Sequence, residues 1–297
     1  MAERPLPPQQ AEPAAPNKLG IANAKQLARV EEAIVKGESQ LLRIEPVHGK
    51  LDAEQLKAVH KRLFGQIYEH AGQVREPTSG WGKSRLLSDG SRHFVAYHSL
   101  QGIVPEKAVN NIMQRAVEEL RAIRPNDTAA IAKSTARMYA DLDHLHLFKE
   151  GNSRTLRTFV SQVVRETTGR RLEWDATDRN GSARDELYRA RDAQVVARQI
   201  PREVFERQLK QLSHTVHALR GTRPLDSVMR ENLEVGLQRD LATAMGHSAE
   251  LVRRVVEVAR GRYAANFEHG RAPIAPAVPG QLRSRGDAVD QGRGAER

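Results

Sequence analysis

Hydrophobic side chains recur at helical spacing along most of the chain, and this pattern predicts packed helices. The first helix is expected to end at Gly37, and its apolar face carries Leu27, Val30 and Ile34. A longer amphipathic helix is predicted over residues 51–67, where Asp52 stands at the position of an N-cap.

The segment 73–98 differs in composition, because glycine and proline interrupt it repeatedly. Asp89-Gly90 is a typical hairpin turn, and short strands are predicted on either side of it, over residues 85–87 and 93–97. A two-stranded ribbon alone is marginal in water, so this hairpin must pack on a helical body.

Helices resume at Pro105, and Asn126 or Asp127 can cap a helix that runs to about residue 142. Another buried stripe ends at Gly169, so a tight loop must separate two core helices, the second of which begins near residues 152–153. Further helical patterns cover residues 183–199, 201–219, 225–245 and 248–261. The sequence therefore predicts an all-α helical bundle with one small β-hairpin.

Both ends of the chain are rich in proline, glycine or alanine and lack apolar periodicity. We therefore expect a disordered arm over residues 1–16, one domain over 17–215, a helical extension over 216–267 and a disordered tail over 268–297.

The composition narrows the class of protein. Aromatic residues make up only 4% of the 297 residues, so the core must be aliphatic. Cysteine is absent, which excludes disulfides and thiolate metal sites. No apolar run approaches the roughly 20 residues of a membrane helix, and no secretory signal is recognisable. We expect a cytoplasmic protein, although the sequence leaves export as an effector open.

The strongest functional signal is the loop over residues 144–157. It combines a base, a carboxylate, a Gly-Asn turn and two guanidinium groups in the run His146-x-Phe148-x-Glu150-Gly151-Asn152-x-Arg154-x-x-Arg157. A helix N-terminus offers free N–H groups to an anion, and a carboxylate is the ligand type that Mg²⁺ favours. These are the groups needed to hold a metal–polyphosphate complex beside a nucleophile.

This run resembles the signature of the Fic family, His-Pro-Phe-x-(Asp/Glu)-Gly-Asn-(Gly/Lys)-Arg-x-x-Arg. The resemblance extends over residues 17–215: Ala71-Gly72-Gln73-Val74-Arg75 is similar to a segment that precedes the Fic flap, and the hairpin over 83–97 corresponds to that flap. Two positions depart from the signature, with Leu147 in place of proline and Ser153 in place of glycine.

The resemblance implies a protein adenylyltransferase that moves AMP from ATP to a Tyr, Thr or Ser hydroxyl of a target protein. His146 would be the general base, Glu150 would hold Mg²⁺, and Phe148 would anchor the loop from beneath. The implied ATP and phosphate site consists of Gly151, Asn152, Ser153, Arg154 and Arg157. The flap would hold the target by strand addition, with Lys83, Arg85, Phe94 and Val95 as the docking residues.

A segment near the C-terminus resembles the inhibitory helix of autoinhibited Fic proteins, (Ser/Thr)-x-x-x-Glu-(Gly/Asn). The matching residues are Ser227, Glu231 and Asn232. By this resemblance Glu231 would pair with Arg157 and block a phosphate seat. An ordinary capped helix has the same pattern, and a separate small antitoxin could supply the inhibition instead.

Two other functions are compatible with the sequence. A Doc-like kinase would transfer the γ-phosphate from the same site, but Doc-type motifs carry lysine where this chain has Ser153. A non-catalytic interaction module would use the net charge of +10. We do not expect nucleic acid as a partner, because acidic and basic residues are interleaved and no dense Lys/Arg block occurs.

Overall fold

The computed structural model describes residues 13–78, 81–174, 181–199, 219 and 221–245. In chain order, the elements in those ranges are α1 (Ala24–Ile44), α2 (Ala53–Phe64), β1 (Trp81–Leu86), β2 (Arg92–Tyr97), α3 (Pro105–Ala122), α4 (Thr128–Leu145), α5 (Asn152–Thr168), α6 (Gly181–Gln199) and α7 (Leu225–Met245). The predicted all-α fold with one β-hairpin is confirmed.

The helix boundaries follow local chemistry at most ends. The side chain of Asp52 accepts a hydrogen bond from the N–H of Gln55, and Asp127 accepts one from the N–H of Ala130, so both residues are N-caps. The prediction that Gly37 ends the first helix is wrong. Helix α1 continues to Ile44, because its buried face extends beyond the glycine to Leu42.

The core is mainly aliphatic and is built around α4, which packs against α3, α5, α6 and the second strand of the hairpin. Helix α2 also packs against α5. The loop between α4 and α5 is therefore surrounded by helices, and most of its residues are buried.

The hairpin packs on the helical body, as the sequence requires. Strands β1 and β2 are antiparallel, with Trp81 opposite Tyr97 and Leu86 opposite Arg92. Side chains of β2 alternate strictly between buried and exposed. Val95 and Tyr97 form a small apolar cluster with Val195 of α6, which fixes the inner face of the hairpin.

The chain divides into two compact units, Met1–Leu237 and Gln238–Arg297, and only residues 238–245 of the second are described. The predicted tail, most of the N-terminal arm, the boundary at 215 and the helical patterns at 201–219 and 248–261 fall largely outside the described residues. No helix among the described residues combines the length and apolar character that a membrane span needs.

Candidate active site

His146 stands at the end of α4 in a left-handed backbone conformation, with φ of 46°. An L-residue other than glycine rarely adopts this conformation, so neighbouring groups must hold it. The side chain of Arg75 does so, since its Nε donates to the carbonyl of His146 at 2.7 Å and its Nη2 donates to the carbonyl of Leu145 at 3.3 Å. Burial lowers the pKa of Arg75 to about 10, which leaves it charged at neutral pH. Arg75 is therefore a positioning residue for the loop.

The imidazole of His146 is only 4% exposed and stacks on Tyr97, with ring centroids 3.8 Å apart. Burial lowers its pKa well below the usual value, and the nearby cations of Lys83 and Arg191 act in the same direction. The ring is therefore neutral at physiological pH, which is the form that can accept a proton.

The side chain of Asn152 closes the loop rather than facing a ligand. Its Oδ1 accepts a hydrogen bond from the N–H of Phe148 at 2.9 Å, and its Nδ2 donates to the carbonyl of the same residue at 2.6 Å. One of the two N–H groups of Nδ2 is therefore used within the loop, and the role of Asn152 at a phosphate stays a prediction. Phe148 itself is fully buried, where an anchoring side chain is expected.

Gly151 stands at the N-cap of α5 with φ of 72°, and no side chain caps that helix. A Cβ at this position would lie 3.0 Å from Cε1 of Phe64 and closer still to two other carbons of that ring. Glycine is thus required for its conformation and for its lack of a side chain. The uncapped amide groups at the start of α5 form a candidate anion site.

His60 also shapes the loop, and the sequence analysis missed it. Its Nδ1 accepts from the N–H of Gly72 at 2.8 Å, so its Nε2 carries the proton and donates to the carbonyl of Glu150 at 3.1 Å. The ring is buried between Phe64 and Phe148. Burial lowers the pKa of His60 to about 4, so this ring is also neutral. In the sequence, His60 lies on the apolar face of α2, and that position predicts only a buried residue. The pattern gives no sign that His60 contacts the loop.

The two arginines of the motif both lie on α5 and are half-buried. Arg154 forms an ion pair with Glu31 of α1 and lies over the ring of Phe64, 4.9 Å from its centroid. The carbonyl of Arg157 accepts a hydrogen bond from Nε1 of Trp174 at 3.0 Å. Arg154 therefore reaches a ligand only with the guanidinium N–H groups that Glu31 leaves available.

Glu150 is the candidate metal ligand, and its carboxylate is 42% exposed. The described residues contain no group of three or more His, Cys, Asp or Glu side chains that could hold a metal ion. A single open carboxylate beside a candidate phosphate site still fits Mg²⁺, because that ion is commonly bound by one or two carboxylates together with phosphate oxygens and water. Nζ of Lys83 lies 3.7 Å from this carboxylate.

The side chains of the four predicted flap residues lie on different faces of the hairpin. Arg85 turns inward, and its Nε and Nη2 donate to the carboxylate of Asp192 at 2.8 and 2.9 Å. Val95 is fully buried, and Lys83 faces Glu150. The side chains of Arg85 and Val95 are therefore turned away from a target, whereas Phe94 is 56% exposed on the outer face; docking through the hairpin backbone stays a prediction.

A buried charge cluster behind the site was not predicted. Arg191 of α6 is 1% exposed; its Nε lies 3.0 Å from Oδ2 of Asp143, and its Nη1 donates to Oγ of Ser153 at 3.0 Å. Burial raises the pKa of Asp143, and Arg191 opposes this effect. The signal for the cluster was available, since Leu187, Arg191 and Val195 share one buried face of a helix.

The neighbouring Asp192 connects the cluster to the hairpin. It accepts hydrogen bonds from Arg85 and lies 2.8 Å from Nε2 of His93. Burial raises the pKa of Asp192, but the hydrogen bond from His93 and the guanidinium groups of Arg191 and Arg85 outweigh that effect and hold the pKa at about 2. Asp192 is therefore ionised at every physiological pH.

The candidate inhibitory segment forms the start of α7. Among the described residues, the carboxylate of Glu231 pairs with Arg223 at 2.8 Å and not with Arg157, so the expected pairing is wrong. Asn232 is buried and its Nδ2 donates to the carbonyl of Val228. Ser227 lies within the first turn of the helix and does not cap it.

Comparison with known proteins finds similar sequences over the central part of the chain. Residues 50–164 match the model of the Fic/DOC family. The chain is 33% identical over 168 residues to the protein adenylyltransferase VbhT of Bartonella schoenbuchensis, an alignment that covers 57% of this chain and 32% of that protein. It is 26% identical over 117 residues to the probable protein adenylyltransferase y4lH of Sinorhizobium fredii, covering 39% of this chain and 54% of that protein. The similarity to the Fic/DOC family is carried by this central segment of the chain.

A solved structure is also similar: BepC of Bartonella tribocorum, with bound AMPPNP, has a TM-score of 0.48 and 17% identity, and the match covers 75% of this chain and 93% of that one. The chain spans about a third to a half of the length of the two curated relatives named above.

Proposed function

We propose that this chain is an adenylyltransferase that moves AMP from ATP to a hydroxyl side chain of a protein. The observation that carries the proposal is the neutral, buried imidazole of His146, which one short loop separates from the uncapped N-terminus of α5. The 33% identity to a curated protein adenylyltransferase over 168 residues supports the same chemistry.

In this proposal His146 accepts the proton of the target hydroxyl. The oxygen attacks the α-phosphorus of ATP, and the bond to pyrophosphate breaks with its electron pair on the leaving group. Neutrality of the imidazole before the reaction is essential, because a protonated ring has no lone pair to offer. The cations of Lys83, Arg75 and Arg191 that lower the pKa of His146 keep the ring ready for this step.

The phosphates would lie at the start of α5, where the amide groups of Gly151, Asn152 and Ser153 point out of the helix. Arg157 and the remaining N–H groups of Arg154 would hold the terminal phosphates. Glu150 would hold Mg²⁺, which when bound neutralises charge on the phosphates. Lys83 would have to give up its contact with Glu150, or share that carboxylate with the ion.

The target would bind at the hairpin through backbone pairing, with its hydroxyl directed at His146. The inward orientation of Arg85 and Val95 leaves Phe94 as the exposed side chain of the predicted docking set. A target is therefore recognised mainly by its extended backbone, with an apolar contact at Phe94. A protein partner that inhibits the enzyme remains a prediction, and the Glu231–Arg223 pair gives no support to inhibition through Glu231.

The test is label transfer by the full chain with Mg²⁺ and a cell lysate, comparing ATP labelled at the α-phosphate with ATP labelled at the γ-phosphate. His146→Ala removes the base. Glu119→Gln is the matched control. Glu119 lies on α3, outside the site, and forms an exposed ion pair with Arg137 of α4.

We expect transfer of the α-label by the wild type and by Glu119→Gln, and none by His146→Ala. Transfer of the γ-label alone would establish a kinase of the Doc type. If neither label is transferred, and salt-dependent DNA binding is observed, the chain is an interaction module and the proposal is wrong.

A further inference from the structure

The carboxylate of Asp143 lies one helical turn before His146 and faces its ring. Oδ1 of Asp143 is 3.9 Å from Nδ1 of His146, and both side chains are almost completely buried. Neither ring nitrogen of His146 makes a hydrogen bond with the described residues, and the same holds for both carboxylate oxygens of Asp143. Oδ1 of Asp143 and Nδ1 of His146 are buried polar atoms that face each other, so they are expected to satisfy one another.

The charges around Asp143 indicate that it is ionised. Arg191 and Arg85 bring two guanidinium groups into the cluster, and Asp143 and Asp192 bring two carboxylates. With all four charged, the cluster is neutral overall. A neutral Asp143 would leave the single carboxylate of Asp192 to balance two buried guanidinium groups, which is costly in the protein interior.

We propose that Asp143 is a positioning residue, held in place by Arg191, that fixes the proton of His146 on Nδ1 and so leaves Nε2 as the base. This inference rests on the proposed function, in which His146 deprotonates the target hydroxyl.

The separation of 3.9 Å is longer than a hydrogen bond. Catalytic hydrogen bonds are often long in proteins without bound substrate and shorten when the complex forms, and a shift of about 1 Å is enough here. Once His146 has taken the proton of the hydroxyl, the ring is a cation, and the carboxylate of Asp143 stabilises that charge. In that cation, Nε2 carries the proton taken from the hydroxyl and Nδ1 carries the proton that faces Asp143.

The wild-type chain itself gives the decisive measurement. Nitrogen-15 NMR of ring-labelled histidine, assigned with His146→Gln, reports which nitrogen of His146 carries the proton at neutral pH. We expect Nδ1–H with a free Nε2. A predominant Nε2–H form would overturn the inference, whether or not the chain transfers AMP.

Variants test the consequence for catalysis. Because Asp143→Leu alone leaves Arg191 unpaired and threatens folding, the double variant Asp143→Leu with Arg191→Met replaces the buried pair by apolar side chains of similar size. We expect kcat for transfer to fall about 10- to 100-fold, KM for ATP to change less than about twofold, and the proton of His146 to move to Nε2.

Two controls separate this role from others. Ser153→Ala removes the contact that Arg191 makes with Oγ of Ser153, so its kcat measures the share of the loss due to that contact. Glu119→Gln removes an exposed carboxylate–guanidinium pair and is expected to leave kcat unchanged. If the double variant keeps both wild-type kcat and the Nδ1–H form, Asp143 has no positioning role. If the wild type shows Nδ1–H but transfers no label, the proposed function fails and the assignment of Asp143 stands.

Discussion

Replacing Gly151 by alanine tests the packing that holds the loop between α4 and α5. The backbone at this position has φ of 72°, and the new Cβ would meet the ring of Phe64, with 3.0 Å to Cε1 and shorter distances to two further carbons. Phe64 is fully buried and stacked against His60, so its ring cannot swing into solvent. Both the conformational strain and the steric clash must be accommodated inside the core.

The magnitude follows from these two effects. A left-handed conformation costs an L-residue roughly 1–2 kcal/mol relative to glycine. Inserting a carbon into a well-packed core costs about 1–3 kcal/mol more. We therefore expect Gly151→Ala to lower the free energy of unfolding by about 2–5 kcal/mol.

Gly169 provides the matched control. It has φ of 69°, ends the same helix α5, and has no atom within 4 Å of the position that a Cβ would take. Gly169→Ala thus carries the conformational strain without the clash and should cost about 1–2 kcal/mol. The difference between the two variants isolates the contact with Phe64.

Urea unfolding followed by circular dichroism measures both variants, and an unchanged slope in urea confirms that only stability has changed. Adding Phe64→Leu to Gly151→Ala should recover part of the loss, with a coupling energy of about 1 kcal/mol or more. Equal destabilisation by Gly151→Ala and Gly169→Ala, within about 0.5 kcal/mol, would refute the packing argument.

Three further predictions concern other parts of the site. Arg75→Met should lower the free energy of unfolding by about 2–4 kcal/mol, because it leaves carbonyl groups at the end of α4 without donors. Urea unfolding measures this loss, and a loss below about 1 kcal/mol would contradict the positioning role. The pKa of His60 is about 4 in the folded chain and 6.5 in its ordinary state, so the unfolded chain binds the proton first as the pH falls. Stability from this group is complete above pH 6.5 and is lost as the pH falls towards 4, by about 3 kcal/mol in all. His60→Gln should flatten that dependence in urea unfolding at a series of pH values. Glu231→Gly should change self-labelling by less than about twofold, because the carboxylate pairs with Arg223; a tenfold rise would restore the inhibitory role.

Features that depend on local chemistry could be predicted from the sequence. The start of α5 at Asn152 and its end at Gly169 follow from turn and capping rules that involve only neighbouring residues. The position of the hairpin follows in the same way from Asp89-Gly90. The loop could be recognised because its chemical groups are adjacent in the chain.

Features that depend on partners distant in the chain could not be predicted. The pattern around Glu231 is compatible with pairing to any arginine within reach, and the fold brings Arg223 there. Similarly, the sequence predicts Arg85 to be an exposed cation of the hairpin, whereas in the fold it pairs with Asp192 of α6. Sequence spacing gives the helical face of a residue, but it does not give the element that covers that face.

The side-by-side placement of Arg191 and Asp192 on α6 has a consequence for any attempt to redirect the proposed activity to a new target. Asp192 binds the hairpin through Arg85 and His93. Arg191 pairs with a carboxylate of α4, the helix that ends at His146. A hairpin grafted from another protein would therefore unbalance the charges beside His146 unless it kept an arginine at position 85 and a histidine at position 93. Substitutions at outward-facing positions of the strands, such as 94, leave this charge cluster intact, whereas exchange of the whole hairpin disrupts it.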